Sequence, residues 1–138
     1  MKKRISFLVV LAVVLMGVHA FAGKLTDNGD GTVSDKSEGL MWQQAEGGLK
    51  KWQEAVTYCE NMSLGGHDDW KLPTIDQLRS MVDKNFAQPM VDTTFFPDFP
   101  PTQIFYWSST EPEKNKRQAK ILIFNYGSDD DMFKHEKY

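Results

Sequence analysis

Two histidines with acidic neighbours are the residues of this chain best suited to acid–base chemistry. His67 is followed by Asp68 and Asp69, and His135 precedes Glu136. Because a carboxylate can orient a histidine as a general base, His67 with Asp69 in a cleft would suit a hydrolase or a modifying enzyme. Short aspartate side chains also bond backbone N–H groups in turns, so a structural turn after the two preceding glycines is the favoured interpretation.

The adjacent serines Ser108 and Ser109 are the other candidates for catalysis. A serine hydroxyl becomes a nucleophile only when a base lies beside it, and the sequence does not show a histidine near these two. We therefore expect a protein without catalytic residues and without a cofactor.

The stretch that begins at Asp27 carries oxygen-bearing side chains at spacings that resemble a calcium loop. An EF-hand loop starting there would have Glu38 as its twelfth residue. However, Gly29 and Gly31 occupy positions that need oxygen ligands, and Thr32 occupies the position that needs glycine. The Asn-Gly and Asp-Gly pairs are strong signals for a β-hairpin. The sequence therefore predicts a hairpin, with a calcium site as the weaker alternative.

Charged side chains in a turn are the best candidates for binding. The segment Glu111–Arg117 is rich in Lys, Glu and Arg and lies between two strand-like stretches. Binding residues concentrate in loops, which a rigid scaffold holds at the surface. The sequence predicts a non-catalytic module for binding or adhesion, with a polysaccharide or a protein as its ligand. The predicted binding residues are Trp107, Glu111, Lys114, Lys116 and Arg117.

One amphipathic helix is predicted between Lys50 and Met62. Apolar residues, including Trp52 and Cys59, recur there every three to four positions, and charged residues such as Glu54 fall on the other side. We expect the apolar face to lie in the core.

A second helix is predicted after a short extended segment. Trp70 and Leu72 alternate with a lysine, which is typical of a half-buried strand, and the proline that follows has no N–H to continue a ladder. Thr74 and a glutamine three residues later form a capping box that should start a helix ending near Asp83. The residues expected to have structural roles are Trp42, Trp52, Cys59, Trp70, Leu72, Pro73 and Thr74.

The remaining segments complete an α+β pattern. Residues 84–102 contain four prolines and four phenylalanines, so we expect an ordered loop packed by its aromatic rings. Ile104–Thr110 and Ala119–Asn125 predict strands, and the second is apolar on both faces, which indicates a central position. Asp129–Asp131 predicts a solvated turn, and Met132–Phe133 predicts the start of a further strand.

The first 22 residues predict a signal peptide. The basic start Met1–Arg4 precedes an apolar run of fourteen residues, Ile5–Val18, which is shorter than the about 20 that span a bilayer. Ala20-Phe21-Ala22 has the small-x-small form that signal peptidase cleaves. We expect cleavage after Ala22, export to the periplasm or the cell exterior, and one domain over residues 23–138 with no membrane attachment.

The charge of the mature chain excludes some partners. The chain has 16 Lys and Arg against 19 Asp and Glu, and three of the cations lie in the predicted signal peptide, so the net charge after cleavage is 13 − 19 = −6. An acidic chain argues against binding to nucleic acids or to anionic membranes.

Five short motifs occur in an order that resembles the Lcl C-terminal domain family. They are Gly29–Val33, Gly39–Gln43, Trp52–Ala55 with Tyr58-Cys59, Asp69–Thr74 and Tyr106–Thr110. The resemblance implies a C-type-lectin-like α+β fold, with two helices packed on short antiparallel sheets and a long aromatic loop. It also implies an exported bacterial module, since the family's namesake lies on a collagen-like adhesin and binds sulfated polysaccharide.

The chain departs from the family pattern at two places. Members carry an Arg-Cys-Val-Arg-like last strand whose cysteine would pair with Cys59, and this sequence ends at Tyr138 without it. The resemblance therefore implies a closing strand that is absent or reduced to Met132–Tyr138, either because the domain is truncated at its C-terminus or because a partner chain completes its open edge. Cys59 is then expected to be a buried, free thiol or to pair with a cysteine of another chain. Neither Glu111-Pro112-Glu113 nor Gln88-Pro89-Met90 matches the Glu-Pro-Asn or Gln-Pro-Asp motif of sugar-binding lectins, so calcium-dependent sugar binding is not expected.

Overall fold

Two short helices and two sheets make up the described part of the chain, which is residues 4–5, 10–12, 24–100 and 104–136 of this computed structural model. The strands are β1 (Arg4–Ile5), β2 (Val10–Ala12), β3 (Leu25–Asp27), β4 (Thr32–Asp35), β5 (Leu40–Gln43), β6 (Ile104–Trp107), β7 (Gln118–Ile123) and β8 (Ser128–Phe133). The helices are α1 (Trp52–Glu60) and α2 (Ile75–Ser80). Neither helix is long and apolar enough to span a bilayer. The architecture is α+β, as the sequence predicts.

Each sheet contains three strands from residues 24–136 and one from the N-terminal segment. The first sheet has the strand order β2-β5-β4-β3 and is antiparallel. The second has the order β1-β6-β7-β8, in which β1 runs parallel to β6 and the other pairs are antiparallel. The rest of residues 1–22 lies outside the described residues, so cleavage after Ala22 stays a prediction.

The β3–β4 hairpin confirms the turn signals of its sequence. The backbone N–H of Asn28 donates to the carbonyl oxygen of Thr32 at 3.0 Å. Gly29 and Gly31 have φ angles of 73° and 85°, a left-handed region that glycine enters at little cost. The closed hairpin places β4 between β3 and β5.

Strand β7 lies between β6 and β8 and is buried on both faces, which confirms its predicted central position. Ile121 belongs to the core cluster under α1, whereas Leu122 and Phe124 belong to the cluster under α2 and the long loop. Because alternate side chains of a strand point to opposite faces, this one segment contributes to both clusters.

The loop between α2 and β6 packs through its aromatic rings. Phe96 and Phe99 are buried. The Phe99 ring stacks on Tyr106 with 4.8 Å between centroids and meets Phe124 edge-on at 5.1 Å. Such pairs add roughly 0.5–1.5 kcal/mol to the stabilisation from buried area. The prediction of an ordered aromatic loop is confirmed for its described part, which ends at residue 100.

Helix α1 covers the other face of the second sheet and confirms the predicted amphipathic helix. Ala55 and Cys59 are fully buried there, in one cluster with Trp70 and Leu72. The helix ends at Glu60, two residues before the predicted end, and the N–H of the following residue still bonds back into the last turn.

The segment before α2 has the predicted burial but forms no regular strand. Trp70 and Leu72 are buried and the lysine between them is exposed. Trp70 Nε1 donates to the carbonyl oxygen of Leu64 at 3.1 Å, and Ser109 N donates to Pro73 O at 2.7 Å. These hydrogen bonds replace the regular backbone pairing of a strand, because Pro73 has no N–H to donate.

Thr74 caps α2 as the sequence predicts. Its hydroxyl oxygen accepts from Gln77 N at 3.2 Å, and the Gln77 side chain accepts from Thr74 N at 2.8 Å, which completes the capping box. The helix ends at Ser80, three residues before the predicted end. The N–H groups of Met81 and Val82 each donate to the carbonyl oxygen three residues earlier. This is the hydrogen-bond pattern of a 3₁₀ turn, which ends the α-helix.

The prediction of a solvated turn at Asp129–Asp131 is wrong. These residues lie within β8, which pairs with β7 over six residues. Lys120 on β7 donates to Asp131 at 3.0 Å, and Arg79 on α2 donates to Asp129 at 2.6 Å. Cations distant in sequence thus stabilise an acidic strand. The strand expected to begin at Met132 begins four residues earlier, at Ser128.

Candidate functional site

Glu111 organises the charged turn that the sequence singles out for binding. Its carboxylate pairs with Lys134, which follows β8, and lies 3.8 Å from Lys116 Nζ. The hydrogen bond from Lys134 is the main cause that lowers the pKa of Glu111. Glu111 is therefore ionised and engaged with cations of the protein itself.

Three chain segments meet at this turn and bring further cations to it. Lys134 N donates to Arg117 O at 3.0 Å, and Trp52 N donates to Lys134 O at 3.3 Å. Trp107 Nε1 donates to Lys50 O at 3.0 Å. The start of α1, the charged turn and the end of β8 are therefore adjacent. We call this surface the basic end, and its cations are Lys50, Lys51, Lys114, Lys116, Arg117 and Lys134.

Aromatic rings position two lysines of the basic end. Lys134 Nζ lies 4.0 Å from the centroid of the Trp52 ring, and Lys50 Nζ lies 4.5 Å from that of Tyr58. Such cation–π contacts stabilise the ammonium groups over the rings. Trp52 Nε1 donates to Ser108 O at 2.8 Å, so the ring is fixed to the chain just after β6. The exposed cations are Lys51, Lys114, Lys116 and Arg117.

The structure corrects the sequence prediction for Trp107. Its side chain is only 1% exposed and belongs to the same core cluster as Ala55 and Ile121. Because strand side chains alternate, the end of β6 points this ring toward α1 and away from solvent. Trp107 therefore positions α1 through its bond to Lys50 and does not belong to a contact surface.

His67 and Asp69 lie in a turn in which their side chains make no close pair. His67 Nδ1 is 4.0 Å from Asp69 Oδ1, beyond hydrogen-bond distance. The backbone of His67 pairs with Leu64 in a tight turn. Ser108 is buried, and its hydroxyl donates to Lys120 O at 2.8 Å. The geometry favours structural roles for these residues.

The aspartates of the first hairpin bond backbone N–H groups. Asp27 Oδ1 accepts from Gly29 N at 2.8 Å, and Asp30 Oδ1 accepts from Thr32 N at 3.0 Å. These bonds are typical of aspartate in turns. Within the described part of the chain, no three His, Cys, Asp or Glu side chains form a group suited to a metal ion.

A cleft of about 260 Å³ lies between the start of β3, the end of α2 and the long loop. Its lining residues are Lys24, Leu25, Met81, Asp83, Asp92 and Phe95. None of them belongs to the basic end or to the residues that the sequence singled out for binding.

Sequence patterns missed half of the basic end. Lys50, Lys51 and Lys134 have no local pattern that links them to the charged turn, because the contacts that gather them join distant parts of the chain. The one available signal was the pair of lysines before Trp52, which suggested only the solvated side of a helix.

The family comparison covers most of the chain. A model of the Lcl C-terminal domain matches residues 31–138. Comparisons with curated proteins and with solved structures gave no significant match. The matched range includes both helices, the strands from β4 onward and the whole basic end. The chain belongs to the Lcl C-terminal domain family.

Proposed function

We propose that the chain is an exported, non-catalytic module that binds an acidic polysaccharide through its basic end. The observation that carries this proposal is that three separate chain segments bring six cations together. An extended polyanion could contact several of them at once, and each further contact adds to the total affinity.

The basic end contains six cations in a chain that is acidic overall, although Glu111 and Glu113 lie in the same turn. The full chain has a net charge of −3, and the exported module would have −6 after signal cleavage, so its overall field does not attract polyanions and a local cluster of cations would have to do so. Among the described residues, no ion pair involves Lys114 or Arg117. Their charges are therefore available to a ligand.

The ligand class and the fold that we propose follow from the resemblance to the Lcl C-terminal domain family. The sequence resemblance implies an exported module and a sulfated polysaccharide as the first ligand to test. We also propose that the fold is C-type-lectin-like, which the two helices packed on antiparallel sheets and the ordered aromatic loop support. A fold by itself does not define a function, so the test addresses the surface.

The direct test is retention of the protein on immobilised dextran sulfate during a salt gradient. We expect the wild type to bind at low salt and to elute as salt screens the contacts. The triple variant Lys114→Ala, Lys116→Ala, Arg117→Ala should elute at clearly lower salt, because it removes exposed cations and no buried side chain.

The matched control removes three exposed lysines elsewhere, as Lys36→Ala, Lys71→Ala, Lys84→Ala. This control variant lowers the net charge by the same amount as the first triple variant. If binding depends on the cations of the basic end and not on net charge, the control should elute like the wild type. Equal loss of retention in both variants, or equal retention of the wild type on neutral dextran, would contradict the proposal.

A further inference from the structure

We propose that the cleft between β3, α2 and the long loop binds a primary ammonium group on a short aliphatic chain. The cleft combines two kinds of lining. Its acidic lining residues are Asp83 and Asp92, and its apolar lining residues are Leu25, Met81 and Phe95. A ligand that suits both has a cationic head and a methylene chain. This inference does not depend on the role of the basic end.

The two carboxylates have no cationic partner within the described part of the chain. Asp83 Oδ1 accepts from Asn85 N at 2.9 Å, and Asp92 Oδ1 accepts from Thr94 N at 3.0 Å. No ion pair of the described residues reaches either carboxylate. Within the described residues, neither aspartate is therefore neutralised by a direct ion pair.

Lys24 lines the same cleft but is engaged elsewhere. Its Nζ donates to Ser80 O at 2.5 Å and lies 3.6 Å from Asp35 Oδ2, which is fully buried. That buried carboxylate oxygen accepts no hydrogen bond, so the charge of Lys24 is needed there. Lys24 thus leaves the negative charge of the other two aspartates in place.

The volume and the walls limit the size of the ligand. About 260 Å³ is slightly below the roughly 300–1,000 Å³ of clefts for drug-sized molecules, so the space suits a group as large as a side chain. Apolar walls can cover methylene groups while the ammonium stays at the carboxylates, as lysine side chains do at protein surfaces. An anionic ligand would meet like charges there.

The ammonium group could come from a free amine or from a lysine side chain of a protein. A titration of the full chain, with methionine and leucine methyl groups labelled for NMR, distinguishes them. The probes are 1,5-diaminopentane, acetyl-lysine amide and the uncharged 1,5-pentanediol. We expect saturable shifts of the Met81 and Leu25 methyl signals with one or both amines and no shifts with the diol.

Each outcome of this titration decides something. Saturation with the diamine alone assigns a free amine, and saturation with acetyl-lysine amide assigns a lysine side chain. Shifts with the diol as large as those with the amines, or no saturable shift with either amine, would overturn the proposal.

The variant Asp83→Asn, Asp92→Asn tests the role of charge. Asparagine keeps a side-chain oxygen for the turn and removes the negative charge, so the fold should persist. The affinity for the bound amine should fall by at least about tenfold, the effect of one weakened charged contact in a partly enclosed site. Asp98→Asn, at an exposed position in the same loop, is the control and should leave the affinity unchanged. An unchanged affinity in the double variant would also overturn the proposal.

Discussion

Cys59 shows how burial decides the chemistry of a single side chain. Its thiol is free, fully buried, and part of the cluster under α1 that includes Trp70. Burial is the main cause that raises its pKa to about 12. Because the thiolate is the nucleophilic form, the native protein should hold this thiol inert at neutral pH.

Labelling of Cys59 with a thiol reagent tests this at pH 8. We expect very slow labelling of the native protein and fast labelling in denaturant, since the chain must open before the reagent reaches the sulfur. The control is Cys59→Ala with Thr93→Cys, which places one thiol at an exposed loop position. Native labelling of Cys59 as fast as that of the control would contradict the burial.

Residue-level predictions succeeded where the deciding contacts are local. The capping box of Thr74 and Gln77 needs only four residues, so its sequence spacing was sufficient. The prediction that Trp107 lies on the binding surface was wrong, because α1 buries this ring and is distant from it in sequence. A strand with apolar residues on both faces does not show which aromatic ring faces solvent.

At the scale of elements, one ionic network joins α2 to β8. Arg79 bonds Asp129 through two nitrogens, at 2.6 and 3.1 Å, and Lys120 lies 3.5 Å from the same carboxylate. The hydrogen bond from Arg79 is the main cause that lowers the pKa of Asp129. The three consecutive aspartates predicted a turn, because their local sequence does not show that Arg79 and Lys120 lie beside them.

The variant Asp129→Asn should be less stable than the wild type at pH 7, by about 0.5–1 kcal/mol for a partly exposed pair. The folded pKa of Asp129 is lowered from a usual value of 3.8. Its contribution is therefore present above about pH 4 and is lost as the pH falls through the folded pKa. Denaturant unfolding at several pH values should show the difference between the two proteins shrinking in acid.

Asp130→Asn is the control for this network. Asp130 is exposed, makes no ion pair among the described residues, and accepts from Asp131 N at 2.8 Å, a bond that asparagine can keep. A loss of stability as large as that of Asp129→Asn would contradict a specific role for the network.

The free edge of the second sheet bears on the expected partner strand. Strand β8 is the last strand in the order of that sheet. Within β8, the Asp130 carboxylate accepts a hydrogen bond from the backbone N–H of Asp131. Charged residues on an edge strand disfavour pairing with another chain. A strand-completing partner stays a prediction, and this edge does not favour it.

At the scale of the whole molecule, the basic end and the cleft are built from different parts of the chain. The basic end gathers cations from α1, the charged turn and the end of β8, whereas the cleft carries Asp83 and Asp92 near the end of α2. The α+β class and the central strand with two buried faces could be predicted from the sequence, because both depend on the spacing of apolar residues along the chain. The assembled basic end was not, because tertiary contacts create it.

The most direct measurement is NMR mapping of the backbone amides as a sulfated oligosaccharide is added to the protein. We expect saturable shifts at the charged turn, at Lys134 and at the start of α1, and no shifts of the amides around Asp83 and Asp92. Binding should weaken as salt is raised. Shifts confined to other surfaces, or no saturable shift at low salt, would contradict the claim that the basic end is the binding surface.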